Sequence, residues 1–132
     1  MHVHVHVACA RAKVYEPEMV INPTGEDTMN AIKATIVAVA CGNAHTVALA
    51  SDGRVFGFGF NSYGQLGNGS VELAPEPIEM KTPPRHRGKV VAVACGHDHT
   101  VLLLQDGSVW TCGRNQAGQL GHGTHTHHDS SL

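Results

Sequence analysis

Ile36–Gly69 reads IVAVACGNAHTVALASDGRVFGFGFNSYGQLGNG, and Val90–Gly123 reads VVAVACGHDHTVLLLQDGSVWTCGRNQAGQLGHG. The second stretch follows the first at an offset of 54 residues without a gap, and 20 of the 34 positions are identical. Unrelated stretches of this length share about two or three, so the chain is built from a repeated unit. Within each unit IVAVAC and VVAVAC are apolar at both odd and even positions, as are TVALA and TVLLL. A strand with one wet face would alternate, so these strands are expected to be covered on both faces. Asp52-Gly53 and Asp106-Gly107 mark two-residue hairpin turns, because glycine, and aspartate tolerably, accept positive φ. RVFGFG and SVWTCG supply the next strands, and PEPIEM a fourth, whose prolines place it at a sheet edge.

The glycine-rich runs Gly64–Gly69 (GQLGNG) and Gly118–Gly123 (GQLGHG) raise the question of a phosphate loop. Such a loop lies between a strand and a helix, so that the helix N-terminus faces the phosphate. Here the first run leads into SVELAPEPIEM, with two prolines and no N-cap pattern, and neither run is followed by Lys-Ser or Lys-Thr. The runs therefore read as tight loops opened by Asn61 and Asn115, with Leu66 and Leu120 tucked under as apolar plugs. Four short antiparallel strands per unit, buried faces and a fixed period describe the blade of a β-propeller. Ala38, Ala40, Gly42, Ala92, Ala94 and Gly96 give the small side chains needed where blades converge.

The same residues resemble the repeat of the regulator of chromosome condensation family, whose pattern runs V-x-V-A-C-G-x-x-H-T-x-A-L-x-x-D-G-x-V-Y-x-W-G-x-N-x-x-G-Q-L-G. Cys41, Gly42, His45, Asp52, Gly53, Gly59, Gly64, Leu66 and Gly67 fit it in the first unit. Cys95, Gly96, His99, Asp106, Gly107, Trp110, Gly113, Gly118, Leu120 and Gly121 fit it in the second. These residues are read as the structural framework of the repeat rather than as a catalytic, metal or cofactor site. Phe58 and Cys112 depart from the pattern, standing where the family most often has Trp. The resemblance implies an all-β partial propeller of about two four-stranded antiparallel blades: residues 36–89 as the first unit, and 90–132 as a truncated second unit with a His-rich tail. Residues 1–35 form an N-terminal segment in which Glu16-Pro17-Glu18 is a candidate outer strand of a preceding blade. The ends of the chain, before about Tyr15 and after about His125, are expected to be weakly ordered.

Several constellations invite chemistry. Cys41 with His45 and Cys95 with His99 repeat a C-x-x-x-H spacing that could hold zinc or pair a nucleophile with a base. The framework reading places each cysteine at a strand end and each histidine, buried and bonded to main chain, at the start of the next strand. His2, His4 and His6, and His122, His125, His127 and His128, form clusters open to adventitious metal. Asp52 and Asp106 occupy equivalent turns on separate units, which suits solvated turn residues better than a catalytic pair. The four cysteines, Cys9, Cys41, Cys95 and Cys112, are expected to be reduced thiols in a cytoplasmic or nuclear protein, since MHVHVHVACARAK lacks the pattern of a secretory signal. A net charge of −2 gives no footprint for nucleic acid, and no apolar run approaches the roughly 18 residues of a membrane span.

The expected function is protein–protein interaction, without catalysis or a cofactor, as part of a larger scaffold or regulatory protein. The resemblance adds two alternatives: nucleotide exchange on a small GTPase such as Ran, and the propeller segment of a large ubiquitin ligase. A closed propeller needs at least about four blades, more than 132 residues can supply at a 54-residue spacing. The chain is therefore expected to need further blades in cis or self-association. Two outward faces, carrying Val37, Val39, Val47, Leu49, Val101 and Leu103, should otherwise remain open.

Overall fold

A computed structural model describes residues 20–21, 34–84 and 87–123. Seven strands run in chain order: β1 (Ile36–Cys41), β2 (His45–Ala50), β3 (Val55–Gly59), β4 (Ala74–Glu79), β5 (Val90–Cys95), β6 (His99–Leu104) and β7 (Val109–Gly113). The first four form one antiparallel sheet in the order β1-β2-β3-β4, and the last three a second in the order β5-β6-β7. The chain is thus an all-β partial propeller. The candidate outer strand at Glu16-Pro17-Glu18 and the weakly ordered ends lie outside the described residues.

Registers repeat between the sheets. Val39 faces Ala48 as Val93 faces Leu102, and His45 faces Gly59 as His99 faces Gly113. β4 takes Pro75 and Pro77 at the outer edge of the first sheet, where a missing N–H does no harm. The hairpin loops differ from the two-residue turns expected. Gly53 N–H donates to the Ala50 carbonyl at 3.0 Å and Ala50 N–H to the Arg54 carbonyl at 2.9 Å, so Ser51, Asp52 and Gly53 form a three-residue loop. Gln105, Asp106 and Gly107 do the same. One residue at positive φ then suffices, and it is the glycine, at 90° in Gly53 and 87° in Gly107. The aspartate instead accepts from the amide two residues on, Arg54 at 3.0 Å and Ser108 at 2.9 Å.

The core lies between the sheets. Val47, Leu49, Val55 and Met80 of the first unit pack against Val90, Leu102, Leu104 and Cys112 of the second. Val47 and Leu49 are therefore interior, not outward-facing. The other face of the first sheet is also covered: Ile21 and Ala34 pack on Ala48, Ala50 and Phe56, and all of β2 is buried. β1 and β5 are wetter than their unbroken apolar runs imply, with Val37, Val39 and Val91 exposed. They are edge strands of their sheets, and only part of each reaches the core, through Ala38 in β1 and through Val90, Val93 and Cys95 in β5.

The glycine-rich loops are closed on themselves. Asn61 Oδ1 accepts Leu66 N–H at 2.9 Å, its Nδ2 donates to the carbonyls of Ser70 and Glu72, and Gly64 and Gly67 bond in succession to Asn61 and Gly64. Asn115 repeats the bond to Leu120. Leu66 is fully buried against Gly57, and Leu120 is buried likewise. The amides of Gly64, Leu66 and Gly67 are engaged inside the first loop, and those of Gly118, Leu120 and Gly121 inside the second.

Candidate functional site between the two units

The units meet along a polar seam above the apolar core. The His45 ring folds over Gly42, and a Cβ on Gly42 would occupy the same space as the imidazole. That explains the glycine three residues before the histidine, and Gly96 stands in the same relation to His99. Held there, His45 Nε2 lies 3.1 Å from Thr100 Oγ1 in the second unit. The Thr100 hydroxyl donates to the Gln65 carbonyl at 2.7 Å, so it accepts from His45. This fixes His45 as the neutral Nε2–H tautomer, with Nδ1 a bare lone pair over Gly42. Cys112 Sγ also lies 3.5 Å from the Gln65 carbonyl. Asn43 N–H donates to the His97 carbonyl at 2.8 Å, adding a main-chain tie.

His45 is thus buried as expected, but its partner is a threonine of the neighbouring unit rather than main chain beside its own turn. Burial lowers its pKa below the ordinary 6.5, although nearby Asp98 pulls the other way. Burial pushes the Cys95 thiol up to about 11, with relief from the Thr100 hydroxyl and a further push from Cys41. A thiol so raised is protonated at neutral pH, a poor ligand and a poor nucleophile. Among the described residues, no group of three His, Cys, Asp or Glu side chains is placed to hold a metal ion. Asp52 and Asp106 sit in separate exposed loops, each engaged by its own turn.

A second cluster forms where the loops of the two units share a rim. Arg114 reaches from the second unit over the Tyr63 ring of the first, 5.2 Å from its centroid, and Tyr63 meets Phe60 edge-on at 6.2 Å. Buried Asp98 accepts from Arg114 at 3.3 Å and pairs with exposed His97 at 2.9 Å. Burial would raise the Asp98 pKa, but the hydrogen bonds from His97 and Arg114 hold it below the usual carboxylate value. The equivalent positions in the other unit differ: Asn43 for His97, Ala44 for Asp98, Arg114 for Phe60, Ala117 for Tyr63. At the opposite end of the strands, an open cavity of about 350 Å³ is lined by Asp52, Arg54, Glu79 and Lys89, with no excess of either charge.

The repeat frame matches the Regulator of chromosome condensation (RCC1) repeat over residues 36–65 and 90–119, and again over 52–103. The chain belongs to the RCC1 repeat family. The human probable E3 ubiquitin-protein ligase HERC3 is 41% identical over 87 residues, which are 66% of this chain and 8% of HERC3. The human RCC1-like G exchanging factor-like protein is 40% identical over 90 residues, 67% of this chain and 19% of that protein. Prp20p of Saccharomyces cerevisiae, whose structure was described with its binding to Gsp1p and histones, superposes with a TM-score of 0.72 at 20% identity, over 89% of this chain and 27% of that one. The chain therefore spans a small part of the RCC1-repeat proteins it matches. No helix among the described residues is long and apolar enough to cross a membrane.

Neither cluster is a property of one unit. Thr100 and Gln65 fit the repeat pattern without any contact between units being read from them, and Asp98, Tyr63 and Arg114 lie outside the pattern. Thr46/Thr100 and Gln65/Gln119 are identical between units, which marks the seam. The rim is marked by the reverse signal, loop positions that differ inside an otherwise shared frame.

Proposed function

We propose that this RCC1-repeat chain is a protein-interaction segment of a larger propeller, and that partners are read at the Phe60–Tyr63–Arg114–Asp98–His97 rim. The observation carrying this is a division of labour. The frame repeats with little change, while the rim combines an aromatic pair, a cation and a carboxylate that neither unit has alone. Loops on a rigid scaffold are where binding specificity collects, and Tyr and Arg are enriched among residues that dominate interface energies. Further blades complete the frame. Binding, rather than chemistry, is the role, in the nucleus or cytoplasm.

The test compares proteins retained by the wild-type chain with those retained by a Tyr63→Ala/Arg114→Ala variant, which leaves His45, Thr100 and Gln65 intact. Partners lost with the rim are expected. Identical profiles from a folded variant would contradict the proposal. A second reading, nucleotide exchange on a small GTPase, draws on the likeness to an RCC1-like G exchanging factor-like protein and on Gsp1p binding by Prp20p. Accelerated GDP release from a panel of small GTPases would favour it over binding alone.

A further inference from the structure

Asn68-Gly69 is the single Asn-Gly pair of the chain, and it closes the first glycine-rich loop, where the second loop has His122-Gly123. Asn68 is half-buried and Gly69 is exposed. The Asn68 side chain folds forward along its own main chain, so that Oδ1 accepts the Ser70 N–H at 3.1 Å. Asn61 Nδ2 stands 3.3 Å from the same oxygen. Two donors therefore converge on the carboxamide oxygen. The groups that would react are left open. Among the described residues, neither Asn68 Nδ2 nor the Gly69 N–H makes a hydrogen bond. Gly69, at a φ of 79°, has no side chain to shield its nitrogen. Lys81 brings a cation to the spot: its Nζ lies where a Cβ on Gly69 would come. The Lys81 N–H, donating to the Gly67 carbonyl at 2.9 Å, holds that residue beside the loop.

We propose that Asn68-Gly69 is a self-modification site, at which the folded chain converts its own carboxamide to a carboxylate through a cyclic imide. A solvent base removes the Gly69 N–H proton, and the nitrogen attacks Asn68 Cγ. The carbonyl electron pair passes to Oδ1, where the Ser70 N–H and Asn61 Nδ2 act as the donors of an oxyanion hole do. The pair then returns, the Cγ–Nδ2 bond breaks, and Nδ2 takes a proton from water and leaves as ammonia. A second water adds to the imide and opens it to aspartate or isoaspartate. The Lys81 ammonium favours each anion along this path. The aspartate product keeps an acceptor for the Ser70 N–H and gains a cation beside it, so the loop keeps its shape. The isoaspartate product routes the main chain through the former side chain and displaces that acceptor. This chemistry belongs to the loop alone and is independent of binding at the rim.

The test holds the full chain folded at neutral pH. It follows ammonia release together with the mass and isoaspartate content of the peptide that contains Asn68. Ammonia separates the reaction from isomerisation at Asp52-Gly53 and Asp106-Gly107, which releases none. Conversion at Asn68 is expected in the folded chain at a rate no lower than in the urea-unfolded chain, and to quicken as pH rises. Lys81→Gln should slow the folded chain by about threefold or more and leave the unfolded rate unchanged, which a general loosening of the loop would not do. Asn68→Asp should melt at or above the temperature of the unaltered chain. Slower conversion in the folded chain than in urea overturns the proposal. So does a folded rate that ignores Lys81→Gln, or an Asn68→Asp chain that melts below the unaltered one.

Discussion

Replacing Thr100 by valine keeps the side chain's shape and removes only its hydroxyl. Thr100 is 0% exposed, so no solvent can take over its bonds without the seam opening. Two groups lose a partner. The His45 Nε2–H, 3.1 Å from the hydroxyl, loses that acceptor and keeps only the His99 main chain beside it. The Gln65 carbonyl, 2.7 Å away, keeps only the weak approach of the Cys112 thiol. A buried polar group left unpaired costs about 1–3 kcal/mol, and two such groups give roughly 2–4 kcal/mol once the better burial of valine is set against them. That is a large share of the about 5–15 kcal/mol a stable domain retains. The first unit contains its own control. Thr46 occupies the equivalent position but among the described residues makes only the 3.9 Å contact with Cys41 Sγ, so Thr46→Val should cost under about 1 kcal/mol. Urea unfolding of both variants, followed by far-ultraviolet circular dichroism, gives the comparison. Equal losses at the two positions, or a loss below about 1 kcal/mol for Thr100→Val, would refute the bridging role.

Gly42→Ala should destabilise by roughly 2–4 kcal/mol, because its Cβ meets the His45 ring; Gly107→Ala, with open space around it but φ at 87°, should cost nearer 1 kcal/mol, and thermal melts rank the two. Leu66→Ala should cost about 2–5 kcal/mol as a fully buried plug is removed, measurable in the same melts. Burial lowers the His45 pKa below 6.5, so the folded state binds fewer protons than the unfolded state just below that pH. Its contribution is complete above 6.5 and is lost as pH falls toward the folded value. Stability should therefore decline more steeply from pH 7 to pH 5 in the wild-type chain than in His45→Gln, as read from urea midpoints.

Fold class was legible because the local signals agree with one another. Apolar runs of six residues, Asp-Gly turns and the Asn-opened glycine loops each specify backbone geometry over a few residues, and the 54-residue offset shows them twice. What escaped was whatever depends on contact between units. His45 and Thr100 are 55 positions apart and Thr100 and Gln65 are 35 apart, so no local pattern joins them. Val47 and Leu49 read as outward-facing because the sequence does not say which sheet face meets the neighbour. Packing of Ile21 on Ala48 and Phe56 has no counterpart in the repeat. The three-residue loops were missed for a smaller reason: Asp-Gly suits both turn forms, and the choice rests on whether aspartate binds the amide two residues on.

The central claim, that the two units form one frame locked through His45, Thr100 and Gln65, is tested most directly by nuclear magnetic resonance of the ¹⁵N-labelled histidine side chains. The expected result is a neutral His45 carrying its proton on Nε2, with a nuclear Overhauser contact between that proton and the Thr100 methyl group. A His45 protonated on Nδ1 and lacking any contact with Thr100 would contradict it.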